Sequence, residues 1–201
     1  MTALLRSLPA LALLAALFSL ATGTASAQTV WINEFHYDNA GVDVGEFVEV
    51  VGLAGTNLNG WTVVGYNGSS GTRYRTENLS GTLTNQSNGF GFQVVTYPSN
   101  GLQNGAPDGI ALVNAAGNVI EFLSYEGTFT AADGPAAGLT STDIGVSENS
   151  GTSTGTSISL QGTGSRGIDF AGATGINETP GAVNVGQTLV APQDPIVNST
   201  A

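Results

Sequence analysis

The sequence predicts an all-β fold, an antiparallel β-sandwich. Apolar runs after residue 27 are short and rich in Val, Ile, Phe, Tyr and Thr. Clusters of Gly, Asn, Asp, Ser and Pro separate them, and the chain holds 29 glycines. No long 3.6-residue periodicity follows the N-terminal apolar segment. Short strands punctuated by turn formers are the pattern of a sandwich or barrel.

Residues 1–27 read as a signal peptide. Arg6 gives a positive start, Leu11 to Leu20 is an apolar run, and Ala25-Ser26-Ala27 fits signal-peptidase cleavage before Gln28. The run is short for a membrane span, which needs roughly 20 apolar residues. Export follows, to the periplasm, cell surface or medium, with no transmembrane segment after cleavage. Residues 28–189 are long enough for one domain with its own core, and 190–201 read as a flexible tail. Cysteine is absent, so packing and a hydrogen-bonded sheet must hold the fold.

Thr29–Tyr37 and Glu46–Gly52 are the first expected strands, joined by an acidic loop. In the third, Gly60–Tyr66, both faces carry apolar groups (Trp61 and Val63, Val64 and Tyr66), so it should lie centrally. Phe90–Thr96 is the fourth. Gly109–Asn114 and Val119–Ser124 form the best hairpin, because Asn114-Ala115-Ala116-Gly117 offers a tight link with Gly117 free to take positive φ. Ile158–Gln161 gives the only clear strand core in a Ser/Thr/Gly-rich stretch from Thr140 to Gly167.

The order of these pieces resembles the lamin tail domain family. Ile32-Asn33-Glu34, Gly45-Glu46-Phe47-Val48-Glu49-Val50 and Leu58-Asn59-Gly60-Trp61-Thr62-Val63 look like its first three strands. Asp108-Gly109-Ile110-Ala111-Leu112 and Gly117-Asn118-Val119-Ile120 match its later hairpin. Thr179-Pro180-Gly181-Ala182-Val183-Asn184 is similar to the ending of bacterial members. The resemblance implies an immunoglobulin-like sandwich, the architecture that strand number and turn spacing also support. Bacterial relatives occur beside secreted endonuclease/exonuclease/phosphatase domains or on surface proteins. The present chain closes where the resemblance closes, so a module without such a catalytic neighbour is expected.

Charge narrows the partners. After residue 27, fifteen carboxylates face three arginines (Arg73, Arg75, Arg166) and no lysine, a balance near −12. Nucleic-acid affinity comes largely from Lys and Arg neutralising phosphates, so a polyanion is disfavoured. Solubility is the simplest meaning of the acidic surface, and a cation-rich medium the functional one.

Few residues offer chemistry. Asp38, Asn39, Gly41, Asp43 and Glu46 place hard oxygen ligands in one glycine-bearing loop, and Asp38, Asp43 and Glu46 are the candidate Ca²⁺ ligands. The spacing is not that of an EF-hand, and the alternative is an Asx-rich turn that satisfies its own backbone. Glu34 and Glu49 lie within strands. Strict alternation puts Glu34 with Ile32 and His36, and Glu49 with Phe47 and Val51. They are either an acid–base pair or acceptors for backbone donors and arginine. His36 is the single histidine, which excludes a multi-histidine zinc site. Asp38, two residues on, would share its strand face and offers a His–Asp contact, but a partly exposed strand histidine is the simpler reading. Gly162-Thr163-Gly164-Ser165-Arg166-Gly167 fits Gly-x-Gly-x-x-Gly, yet no helical pattern follows as a dinucleotide site requires. Arg73-Tyr74-Arg75 reads as cross-strand pairing with acidic neighbours.

The expected function is therefore a secreted, non-catalytic module that binds an unknown extracellular protein, glycan or surface through its loops. The rival is a metal-dependent hydrolase, or a nuclease-associated accessory domain, acting on nucleic acid or phosphoesters. A third reading is a structural envelope or matrix component.

Overall fold

The computed structural model describes residues 29–191. The expected signal peptide over 1–27 and most of the expected tail over 190–201 fall outside the described residues. Within them the chain is all-β, and two sheets pack face to face as a β-sandwich. The strands are β1 Val30–His36, β2 Phe47–Leu53, β3 Thr62–Asn67, β4 Thr72–Asn78, β5 Phe90–Thr96, β6 Asp108–Val113, β7 Val119–Tyr125, β8 Thr142–Asp143, β9 Thr156–Gly164, β10 Ala171–Asn177 and β11 Gln187–Leu189. A single 3-10 turn, Gly167–Asp169, precedes β10.

One sheet runs β10-β9-β1-β2-β5, with β11 added in parallel to the end of β9. The other runs β4-β3-β6-β7-β8. Apart from the β9–β11 and β7–β8 pairs, neighbours are antiparallel. All seven expected strands are present. As its two apolar faces predict, β3 is interior, between β4 and β6. The link between β6 and β7 closes as expected. Gly117 takes φ 82°, and the Asn114 side chain accepts the N–H groups of Ala116 and Asn118.

Three apolar clusters explain why so few strand positions face water. Between the sheets lie Ile32, Phe35, Val48, Val50, Val63, Ile110, Leu112 and Ile158. Tyr37 and Tyr125 stack there with centroids 3.8 Å apart. On the back of the β3–β6–β7 sheet, Val64, Tyr66, Ala111 and Phe122 are covered by Phe129, Ala131 and Ala136 from the loop after β7. The Tyr66 hydroxyl fastens that cover by donating to the Asp133 carbonyl and accepting the Ala136 N–H. On the back of the other sheet, Trp31, Val51, Phe90 and Phe92 meet Leu189 and Val183 from the C-terminal segment.

Several details differ from expectation. The stretch from Thr140 to Gly167 carries more strand than the Ile158–Gln161 core alone, namely β8 and the nine-residue β9, with 144–155 between them irregular. Strand β9 sits in the interior of its sheet between β10 and β1. Its Ser157 and Ser159 are buried, and Ser157 donates to Glu34, so a polar alternation that resembles a loop is a buried strand. A bulge between Ile32 and Glu34 breaks the period of two. Ile32 faces the inter-sheet core, while Asn33 and Glu34 both turn to the back of the sheet. Glu34 thus shares a face with Glu49 and His36, not with Ile32. The pattern at 162–167 ends β9 and enters the 3-10 turn, without a following helix.

Candidate functional site

The loop 38–46 connects two adjacent strands whose register begins at His36 opposite Phe47. Its own side chains hold it. The Asn39 N–H donates to Asp43 Oδ1 at 3.2 Å, and the Val44 N–H donates to Asn39 Oδ1 at 3.1 Å. Such Asx contacts replace the ladder bonds a turn lacks. Asp43 Oδ2 also accepts the Asn104 amide at 3.0 Å. Glu46 is buried and points away from the loop tip, where its two oxygens accept the N–H groups of Gly101 and Leu102 at 2.7 and 2.8 Å.

Asp38 and Asp43 remain together as a pair. Burial, the Asp43 charge and a hydrogen bond to Asp43 raise the Asp38 pKa, and Glu148 and Glu126 add to it. Among the described residues no three His, Cys, Asp or Glu side chains form a group that could hold a metal.

His36 is buried rather than partly exposed. Its Nδ1 lies 2.8 Å from Glu148 Oε1. The other Glu148 oxygen accepts the N–H groups of Tyr37 and Asp38 at 2.7 and 3.1 Å. The Tyr37 hydroxyl in turn accepts the Glu148 N–H and donates to Glu126. Burial works to lower the His36 pKa, but the hydrogen bond and charge of Glu148 outweigh it, and the net direction is upward. The arrangement ties the end of β1 to the loop before β9. Glu148 has no local signal in the sequence, because its partner lies 112 positions away.

Glu34 and Glu49 are cross-strand neighbours on β1 and β2. Both are buried beneath the segment 178–191, which crosses the back of the sheet as a strap. Glu34 accepts from the Ser157 hydroxyl at 2.6 Å, the Thr179 N–H at 2.9 Å and the Thr179 hydroxyl at 3.1 Å. Glu49 accepts from the Asn33 amide at 3.0 Å and the Gly181 N–H at 2.6 Å. Asn184 donates to the carbonyls of Asn33 and Leu160, and Gln187 to the Asn33 side chain. Burial pushes the Glu49 carboxyl up to about 8 against these donors, with the Glu34 charge adding to the rise. Burial raises Glu34 as well. The ending Thr179–Asn184, visible in the sequence only as a family-like motif, is therefore the segment these two carboxylates hold.

The basic cluster is also structural. Arg75 pairs along its own strand with Glu77 at 3.2 Å and lies 5.5 Å over the Tyr97 ring, instead of pairing across strands. Arg166 pairs with Asp169 at 2.9 Å.

One concavity is not explained by these contacts. A groove of about 570 Å³ runs along the seam where the inner faces of β7–β8 and β9–β10 part. Ile120, Leu123, Ile144, Val146 and Phe170 line it and remain half-exposed. It opens because β9 pairs with β1 only through Ile158 and Ser159 before diverging. The Ile32 N–H left by that divergence donates to Glu121 Oε2 from the opposite sheet at 2.7 Å. Glu121 was not singled out by the sequence, where it is one acidic residue within an apolar strand.

No family model, curated protein or solved structure matches the chain.

Proposed function

We propose that this chain is an exported, non-catalytic binding module, a β-sandwich of lamin-tail-like type that contacts an extracellular protein, glycan or surface. One observation carries the reading. Of the carboxylates within reach of the hydrolase reading, Glu46 and Glu49, and Glu34 beside them, accept backbone N–H groups that hold loops and the strap in place, whereas the apolar seam is left half-exposed. Acid–base catalysis requires a carboxylate within reach of substrate, and these three are buried under their own chain. Tagged protein incubated with cells, polysaccharides and glycan arrays is expected to be retained on at least one of them. Absence of retention on all, together with phosphodiester hydrolysis, overturns the reading in favour of a hydrolase.

The calcium reading narrows to Asp38 and Asp43, with Glu46 engaged elsewhere. Two carboxyls held in contact, with other acidic groups near, favour a cation that neutralises them. With Ca²⁺ in excess of chelator, Tm is expected to rise by several degrees, and Asp43→Asn to abolish the rise. An unchanged Tm in the parent protein removes calcium from the account.

A further inference from the structure

We propose that the recess between loop 100–105 and the end of β3 binds a neutral saccharide through its side-chain amides; this rests on the binding-module reading and names its ligand class. The recess holds about 370 Å³ and is lined by Asp43, Asn67, Asn100, Gln103, Asn104 and Asp108. That volume falls within the roughly 300–1,000 Å³ of small-ligand sites. The first support is how the loop is held. Five backbone N–H groups of 100–105 are bonded: Asn100 to the Asp43 carbonyl, Gly101 and Leu102 to Glu46, Gln103 to the Tyr74 hydroxyl and Gly105 to Asp108. The Tyr125 hydroxyl donates to the Gln103 carbonyl from below. Glu46 and Asp108 are buried carboxylates, and burying a charge is costly unless hydrogen bonds compensate it. Two such groups fixing one surface loop hold its outward side chains in a constant arrangement, which lowers the cost of binding.

The chemistry of the lining selects the occupant. Asn100 and Asn104 are exposed and Gln103 is half-exposed. Asn67 donates to Gln103 Oε1 at 2.7 Å, and Asn104 donates to Asp43 Oδ2 at 3.0 Å. The Gln103 amide is thereby oriented with its NH₂ group free to donate, and the Asn104 amide with its oxygen free to accept. The four oxygens of Asp43 and Asp108 each already accept one N–H, which leaves lone pairs suited to a hydroxyl donor. A sugar hydroxyl both donates and accepts, so it matches a wall that offers both functions side by side. No lysine, arginine or histidine lines the recess, and its carboxylates repel an anion. Leu102 is its single apolar side chain, too little for an apolar ligand.

The test titrates the purified protein, in chelator, with maltohexaose, cellohexaose, mannohexaose and, as the anionic counterpart, oligogalacturonate. The expected result is binding of at least one neutral hexasaccharide, at least tenfold tighter than oligogalacturonate, with shift changes at the side-chain amides of Asn67, Asn100, Gln103 and Asn104. Gln103→Ala and Asn104→Ala keep the backbone bonds of the loop, so their amide spectra should match the parent's outside 67–70 and 100–108. Each should weaken that binding by about threefold to tenfold, the worth of one net hydrogen bond. No binding of any neutral probe, equal binding of oligogalacturonate, or full affinity in both variants overturns the proposal. So do shifts confined to the other polar recess, over Ser147–Thr156 and Thr174. Binding that appears only when Ca²⁺ replaces chelator makes a cation the ligand and overturns it as well. Retention on cells or polysaccharides that survives Gln103→Ala with Asn104→Ala removes this site while leaving the binding-module reading standing; loss of all retention by the parent protein sinks that reading itself.

Discussion

Glu34→Ala is expected to lower the unfolding free energy by about 3–4 kcal/mol, since each buried donor left without an acceptor costs about 1–3 kcal/mol. The side chain is fully buried and accepts from Ser157 and twice from Thr179. Alanine leaves these three donors without the carboxylate and leaves a cavity that the strap cannot fill. Glu49→Ala should behave similarly, through Asn33 and Gly181. Both residues hold the same strap, so once one anchor is gone the other has less to hold. The double variant should therefore lose less than the two single losses combined. The damage should also be local first. Hydrogen exchange at the Thr179 and Gly181 amides should accelerate more than at Val63 or Ile110, which belong to the inter-sheet core. Urea titration and exchange mass spectrometry measure both effects. A loss below 1 kcal/mol in Glu34→Ala, or unchanged exchange at those amides, shows that the strap is held by the apolar contacts of Leu189 and Val183 instead.

That dependence also explains which parts of the fold were legible in the sequence. Seven strands could be read because Val, Ile and aromatic residues alternate there with small or polar ones. β4 was missed because Thr72–Asn78 carries two arginines and a glutamate around a single tyrosine and reads as a polar surface. β10 is Ala-Gly-Ala-Thr-Gly-Ile-Asn, with little side chain to give a period. The buried polar face was the deeper difficulty. Asn33, Glu34, Glu49, Ser157 and Asn184 are all buried, and nothing in a local window tells a polar side chain facing water from one facing a covering strap. The bulge at Ile32–Glu34 then moved Glu34 to the other face, as a one-residue slip in a period of two must. The acidic loop offers two readings in the sequence, Ca²⁺ ligands or an Asx-rich turn, and the bonds of Asn39 and Asp43 to its backbone are those of the turn. The direction of Glu46 depends on Gly101 and Leu102, more than fifty positions away, and no spacing rule predicts it.

The second large effect is a fall in stability with rising pH, with Tm expected to be higher at pH 5 than at pH 8. The sign follows from the direction of the shifts. Burial raises Glu49 to about 8, and raises Glu34, Glu46, Asp38 and Asp108 above their ordinary values. A carboxyl with a raised folded pKa keeps its proton after the unfolded chain has released its own. The unfolded state then binds fewer protons, so stability declines from about pH 4.5 upward until the folded pKa is passed. His36 acts in the same direction. Its folded pKa lies above 6.5, so its contribution is present below that pH and is lost as pH rises through the folded value. Asp169 is shifted the opposite way, by Arg166, but it sits in exposed surface where solvent screens the pair. For Glu49 a rise from 4.5 to about 8 sets a ceiling on the order of 5 kcal/mol at one pKa unit per 1.36 kcal/mol. Glu49→Gln removes that titration while keeping an acceptor for the strap. It should flatten the Tm profile between pH 5 and 8 more than Glu34→Gln does, whatever it does to Tm itself. A parent profile that is level or rises over this range would mean that these carboxyls ionise within the fold at no cost. The strap would then have to be reckoned as held by charged rather than neutral acceptors.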